Sequence, residues 1–200
     1  MQVNWNAHRF SGGALALDIA NTVVLRGDPE QTFDRFERPE EIVRFAEAAS
    51  RFRAEELCGR RVVADVDTRH ATIVALREAV DRCFRGSALS GSVPLDAYGA
   101  MLSRCAAALK SVAGGIGRER PFGDPSTPIR LETAVAISAL SLDELAGRGR
   151  IRICRNCRWL FLDRSRNSSR LWCDMTVCGN RSKARRHYQR HREKVSRDPH

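Results

Sequence analysis

Apolar residues over the first three-quarters of the chain recur at helical spacing. In RPEEIVRFAEAASRF, residues Ile42, Phe45, Ala46, Ala49 and Phe52 share one face, as an amphipathic helix requires. Pro39 stands at the first turn, where its missing N–H costs nothing. A longer stretch lines up Ile73, Leu76, Val80 and Phe84, with Asp67 as the expected cap, Gly86 as the expected stop and residues 86–93 as loop. Pro94 opens a further helix carrying Tyr98, Met101, Leu102, Cys105 and Leu109, closed by Gly114–Gly115. Pro128 opens another, with Leu131, Val135, Ile137, Ser138 and Leu142 inside and Gly147 near its end. Earlier, GGALALDIANTVVLR is apolar with polar interruptions at Asp18, Asn21 and Thr22. It fits a helix or a buried strand, and a helix is the expectation.

The pattern changes after the GRGR run at residues 147–150. IRIC predicts a short strand, and WLFLD and RLWCD are two more apolar runs separated by the turn-rich RSRNSS, which predicts a hairpin between them. A helix is expected to start after Gly179–Asn180. The fold class is therefore mainly α: a helical body over residues 10–147, then a small zinc-ribbon-like module over residues 151–195 built from a short hairpin and a basic helix.

That module carries the candidate chemistry. Cys154 and Cys157 form a C-x2-C pair, fifteen residues follow, and Cys173 and Cys178 form a C-x4-C pair. Two cysteine pairs at this separation predict a tetrahedral site for one structural Zn2+, with no coordination position left for water. An iron–sulfur cluster is the other use of four thiolates. Trp159, Phe161, Leu171 and Trp172 supply a miniature core, and a metal would contribute on the order of 10 kcal/mol to folding it. Cys58, Cys83 and Cys105 lie scattered in the body and read as small apolar residues.

Charge sharpens the contrast between the two parts. Residues 1–150 hold 20 Lys+Arg against 20 Asp+Glu, whereas residues 151–200 hold 14 against 4, so the tail accounts for the whole net charge of +10. On the expected helix, Ala184, Tyr188 and Val195 make a thin apolar line suited to lie on the small core. Arg181, Lys183, Arg185, Arg186, Arg190, Arg192 and Lys194 fill the other faces, and Glu193 is the only acid between residues 175 and 197. Like charges crowded on one helix repel, and a polyanion would relieve them. Arg164, Arg166 and Arg170, interleaved with serines, add groups suited to phosphate oxygens. His187 and His191, four residues apart, read as surface groups because the cysteines already complete a site.

C-R-N-C, then F-L-D-R-S, then R-L-W-C-D-M-x-x-C-G-N-R-x-K-A-R-R resembles the CGNR zinc finger, named for the run that stands here as Cys178, Gly179, Asn180 and Arg181. That finger follows an ABATE domain, whose early A-L-D-x-x-N-T is similar to Ala16, Leu17, Asp18, Asn21 and Thr22. The resemblance covers nearly the whole chain and implies a stress-related bacterial transcription regulator with a zinc-dependent DNA-binding end. Asn180 and Arg181 would then lie at a helix N-terminus, which favours phosphate, and Arg181 could reach guanine or phosphate.

DNA is accordingly the expected partner. RNA, or an acidic protein met by the finger as an adaptor, are the alternatives, since Trp159, Trp172 or Tyr188 could stack on bases if exposed. In the body, Asp18, Asn21 and Thr22 read as buried hydrogen-bonding groups or as anchors for a small effector, and the body as a sensing or homodimerisation domain. No G-x-S-x-G, H-E-x-x-H, P-loop or dinucleotide fingerprint occurs, so an enzyme is not expected. No run of about 18 apolar residues exists to span a membrane, and MQVNWNAHRF lacks a secretory layout. Free thiolates then point to the reducing cytoplasm.

Overall fold

The computed structural model describes residues 2–110, 112, 121–147 and 149–197. After a 3-10 turn at Ala7–Phe10 come helices α1 (Leu15–Ala20), α2 (Glu40–Phe52), α3 (Val66–Ser90), α4 (Leu95–Leu109), α5 (Leu131–Ser141), α6 (Asp143–Gly147) and α7 (Asn180–Arg197). Three two-stranded sheets join them: β1 (Val23–Val24) antiparallel to β2 (Phe33–Asp34), β3 (Val62–Val63) parallel to β4 (Ile129–Arg130), and β5 (Ile151–Ile153) antiparallel to β6 (Leu160–Leu162). Among the described residues, no helix is long and apolar enough to cross a membrane.

All six residues of α1 and residues 131–139 of α5 are buried. A helix apolar on every side must be enclosed, and α1, α3 and α4 pack around α5. Helix α2 instead shows one apolar face, with Ile42, Phe45, Ala46 and Ala49 inside. Phe45 meets Trp5, Phe10 and Phe36 with ring centroids 5.2–5.4 Å apart. Cys83 and Cys105 are buried, and burial pushes both thiols up to about 11, so they are unreactive packing groups; Cys58 is exposed.

Three local expectations need correction. The cap of α3 is Asp65, whose carboxylate accepts from the Thr68 N–H, and not Asp67. Gly86 does not stop α3, which runs on to a left-handed Gly91 (φ +75°). A Cβ at Gly86 would lie 2.9 Å from Pro94 Cγ, so this glycine allows α3 and the start of α4 to touch. Pro128 precedes β4, and α5 begins only at Leu131. The expected close at Gly114–Gly115 lies outside the described residues.

The hairpin is also placed differently. IRI pairs with LFL across the first cysteine pair, in register Ile151↔Leu162, Arg152↔Phe161 and Ile153↔Leu160, while Leu171–Cys173 forms no strand. The serine-rich loop closes on Asp163 instead. This buried carboxylate accepts from the backbone N–H groups of Ser165 and Arg170, both at 2.9 Å. A loop pinned at both ends by one side chain, with Ser168 N and Ser169 N bonded to Ser165 within it, has no need of a strand partner.

The hairpin is anchored to the body by α1. Ile151, Leu160 and Leu162 belong to the same hydrophobic core as α1, α3 and α5. The Asn21 amide donates to Leu160 O and accepts from Leu160 N, both at 2.8 Å. Leu162 N donates to Gly12 O at 2.7 Å. Asp18 accepts from Gly12 N at 2.9 Å and from Arg53 Nε, and the Thr22 hydroxyl donates to Ile19 O at 2.7 Å.

Replacing Asn21 with Ala strands a buried N–H and a buried C=O of Leu160, each worth about 1–3 kcal/mol when unpaired. The expected loss is roughly 2–5 kcal/mol in urea unfolding; an unchanged midpoint would contradict the pairing. Burial raises the Asp18 carboxyl from 3.8 to about 6, against the opposing pull of Arg53 and the Gly12 N–H. Its folded value lies above its unfolded one, so the folded state binds this proton more tightly and the group adds stability as pH falls from about 7 to about 5. The unfolding free energy of wild type should therefore rise relative to Asp18→Asn across that window, and a flat or opposite difference would refute the burial argument.

Candidate metal centre and nucleic-acid interface

Two tight turns deliver the four cysteines. In the first, Cys154 N donates to Trp159 O at 2.8 Å and Arg158 N to Cys154 O at 3.0 Å, with Arg158 left-handed at φ +63°. In the second, Asp174 organises the chain. Its Oδ1 accepts from Thr176 N (2.8 Å), Thr176 Oγ1 (2.7 Å) and Val177 N (3.3 Å), and its main-chain oxygen accepts from Cys178 N (2.9 Å). The segment Met175–Gly179 winds as one π-type turn before α7 begins.

The four sulfurs lie within 4.8 Å of one another, with Cys157–Cys173 at 3.6 Å and Cys173–Cys178 at 3.7 Å. Zinc–sulfur bonds of about 2.3 Å give a tetrahedral edge of about 3.8 Å, so the cluster has the size a zinc tetrathiolate needs. Hydrogen bonding from Cys157 and Cys173 drives the Cys154 thiol far down, while the bond to Cys154, with burial, drives Cys157 far up. Four clustered sulfurs, three of them buried and Cys157 half-buried, cannot all ionise unaided, and a dication would replace the shared protons. The four cysteines are positioned to bind one zinc ion.

Trp159 and Phe161 are buried beside the ligands and Trp172 packs against them, whereas Leu171 stays outside this cluster. The body reaches the centre directly. His8 Nδ1 lies 3.0 Å from Asp174 Oδ2, and its ring stacks on Trp159 at 5.3 Å. Arg85 Nη1 donates to Arg158 O at 2.9 Å. The sequence reading missed Asp163, Asp174 and His8. An aspartate two residues before a serine or threonine, as in D-R-S and D-M-T, is an Asx-turn signal that could have found the first two; nothing local marks His8.

The predicted nucleic-acid residues divide. Arg181, Lys183, Arg185, Arg186 and Arg190 are exposed on α7. Asn180 Nδ2 donates to Thr176 O at 2.9 Å and so closes the turn before the helix. Gly179 is buried, and a Cβ there would meet Met175 Sδ and Cε at 3.0 Å. Arg164 and Arg166 are exposed, Arg164 donating to Gly13 O at 3.2 Å. Arg170 turns inward, donating to Cys173 O at 2.7 Å and Trp172 O at 3.2 Å, which props the second ligand pair.

The expected apolar line of α7 does not pack on the finger: Ala184 is exposed and Tyr188 is 64% exposed. The zinc core is already closed by Trp159, Phe161 and Trp172, so α7 projects from it. His187 is exposed, and the side chains of His191, Lys194 and Val195 lie outside the described residues. Asp18, Asn21 and Thr22 are buried and internally bonded, and none of them lines a described cavity.

No curated protein matches the chain. Residues 150–191 match the CGNR zinc finger, and residues 13–146 match ABATE, described as putative stress-induced transcription regulator. With that match spanning more than half of its length, the chain belongs to the ABATE family and carries a CGNR zinc finger behind the ABATE domain.

Proposed function

We propose that the protein is a zinc-dependent, DNA-binding transcription regulator, acting in a stress response as the family description has it. In this reading a structural zinc fixes the two knuckles and α7 presents its arginines to duplex phosphates. The observation that carries it is the state of α7: five basic residues between Arg181 and Arg190, all exposed, with no acid among them. Such a helix is destabilised by its own charge until a polyanion arrives. The exposed Arg164 and Arg166 offer further phosphate contacts on the same finger. We propose no catalytic role for the metal, because four sulfur ligands leave no position for water or substrate. The thiolate chemistry suits a reducing compartment.

One observation favours RNA as a second reading. Tyr188, exposed within the basic face, offers a ring on which an unpaired base can stack. Trp159 is buried and Trp172 half-buried, so the tyrosine is the better of the three stacking candidates.

Titrating the zinc-loaded protein with random duplex DNA and matched single-stranded RNA across a salt series separates these readings. For some three to six phosphate contacts, log K should fall with log salt at a slope of about −3 to −5. Arg185→Ala with Arg186→Ala should flatten that slope by about two while the thermal midpoint stays put. Chelation or Cys178→Ser should abolish tight binding. RNA preference would select the second reading; no binding to either at low salt would reject both and leave a protein partner.

A further inference from the structure

A cavity of about 420 Å³ opens beside the N-terminal segment, and two cations in its wall lack acids. Arg35 is 6% exposed, yet the only hydrogen bond its guanidinium makes among the described residues runs from Nη1 to the main-chain oxygen of Asn21 at 3.1 Å. Arg9 lines the same cavity, and its Nε is buried with no partner among the described residues. Neither guanidinium has an ion pair there. Both sit over one ring, Arg9 at 5.8 Å and Arg35 at 5.1 Å from the Trp159 centroid. Burying like charges side by side with no carboxylate against either is costly.

The acids in the same wall are committed elsewhere. Both oxygens of Asp34 accept from Arg77 at 2.7 Å. Glu41 accepts from Val3 N (3.1 Å), Trp5 Nε1 (2.9 Å), Arg38 (3.0 Å) and Arg44 (2.9 Å). Glu37 stands at the exposed rim. Burial and the neighbouring Arg9 lower Arg35 to about 9, against the pull of Cys157. On the other wall, Phe33 is 53% exposed, with the Arg35 guanidinium 5.6 Å from its ring. A large aromatic left half in solvent at a cavity mouth is suited to cover an apolar body.

We infer that this cavity binds a small organic anion, a carboxylate or phosphate carried on a flat or short apolar body, with Arg9 and Arg35 holding the anionic head and Phe33 covering the body. Paired guanidiniums present several N–H donors to either oxyanion, and the volume lies within the range of small-molecule sites. The site joins the body to the finger, since Trp159 under both arginines also packs beside the zinc ligands.

The test is calorimetric titration of the zinc-loaded full chain with benzoate, phenyl phosphate, the neutral isostere benzamide and inorganic phosphate. Benzoate or phenyl phosphate should saturate one site per chain, whichever binds more tightly giving the head group, with benzamide weaker by about tenfold or more. Arg9→Gln and Arg35→Gln should each weaken that anion by a similar factor. Phe33→Ala, an exposed position whose loss cannot unfold the core, should weaken phenyl phosphate but not inorganic phosphate. No saturation by either organic anion, equal binding of benzamide, or undiminished binding by Arg9→Gln would overturn the assignment. Inorganic phosphate binding as tightly as phenyl phosphate would remove Phe33 from it. The titration contains no nucleic acid, so this inference and the DNA-binding reading can fail separately.

Discussion

The β5–β6 hairpin belongs to two cores at once, and the rest of the structure depends on that. Side chains alternate across a strand. Leu160 and Leu162 fall in the core of the body, while Trp159 and Phe161 fall in the cluster around the metal ligands. The first ligand pair is thus fixed by a strand whose other face is held by α1 and α3. Asn21 secures that arrangement from the body side, because an amide that both donates to and accepts from one backbone residue sets register as well as contact.

A zinc ion placed on such a hairpin has a divided influence. Cys154 and Cys157 are supported by strand pairing and by the body, whereas Cys173 and Cys178 rest on Asp174, on Arg170 and on the metal itself. Helix α7 begins two residues after the last ligand, so its direction is inherited from the less supported half. Metal binding therefore bears most directly on the element that carries the basic residues. The N-terminal segment joins this assembly through His8 on Asp174 and through Arg9 and Arg35 over Trp159. The start of α7 lies near the proposed anion site, since Arg181 acts on Arg9 and, after burial, helps to lower it.

Much of this was legible in the chain. Cysteine spacing alone identified the four ligands, because a tetrahedral site tolerates few spacings. Periodicity identified α2 and the core positions of α3, where Ile73, Leu76, Val80 and Phe84 are all buried. What escaped had nonlocal causes. WLFL is apolar at every position because both of its faces are covered, so its partner could not be chosen by alternation. RSRNSS resembles a hairpin turn, but Asp163 closes the loop by accepting from Ser165 N near its start and from Arg170 N just past its end. Gly86 read as a terminator, yet its role is set by Pro94, which only the α3–α4 packing brings near. The exposure of Ala184 and Tyr188 follows from a small core already filled. Asp18, Asn21 and Thr22 were recognised as buried polar groups, but what they bond to lies in part more than a hundred residues away. Arg9 and Arg35 carry no local pattern, since an arginine without an acid is visible only in three dimensions.

Hydrogen exchange on the zinc-loaded and chelated protein tests this division most directly. On removing the metal, the account predicts that amides from Arg170 through α7 lose protection, while Leu160, Leu162 and α1 keep theirs. Simultaneous loss across the hairpin and α1, or unchanged protection at Cys173–Asn180, would contradict the claim that the hairpin belongs to the body and the second knuckle to the zinc.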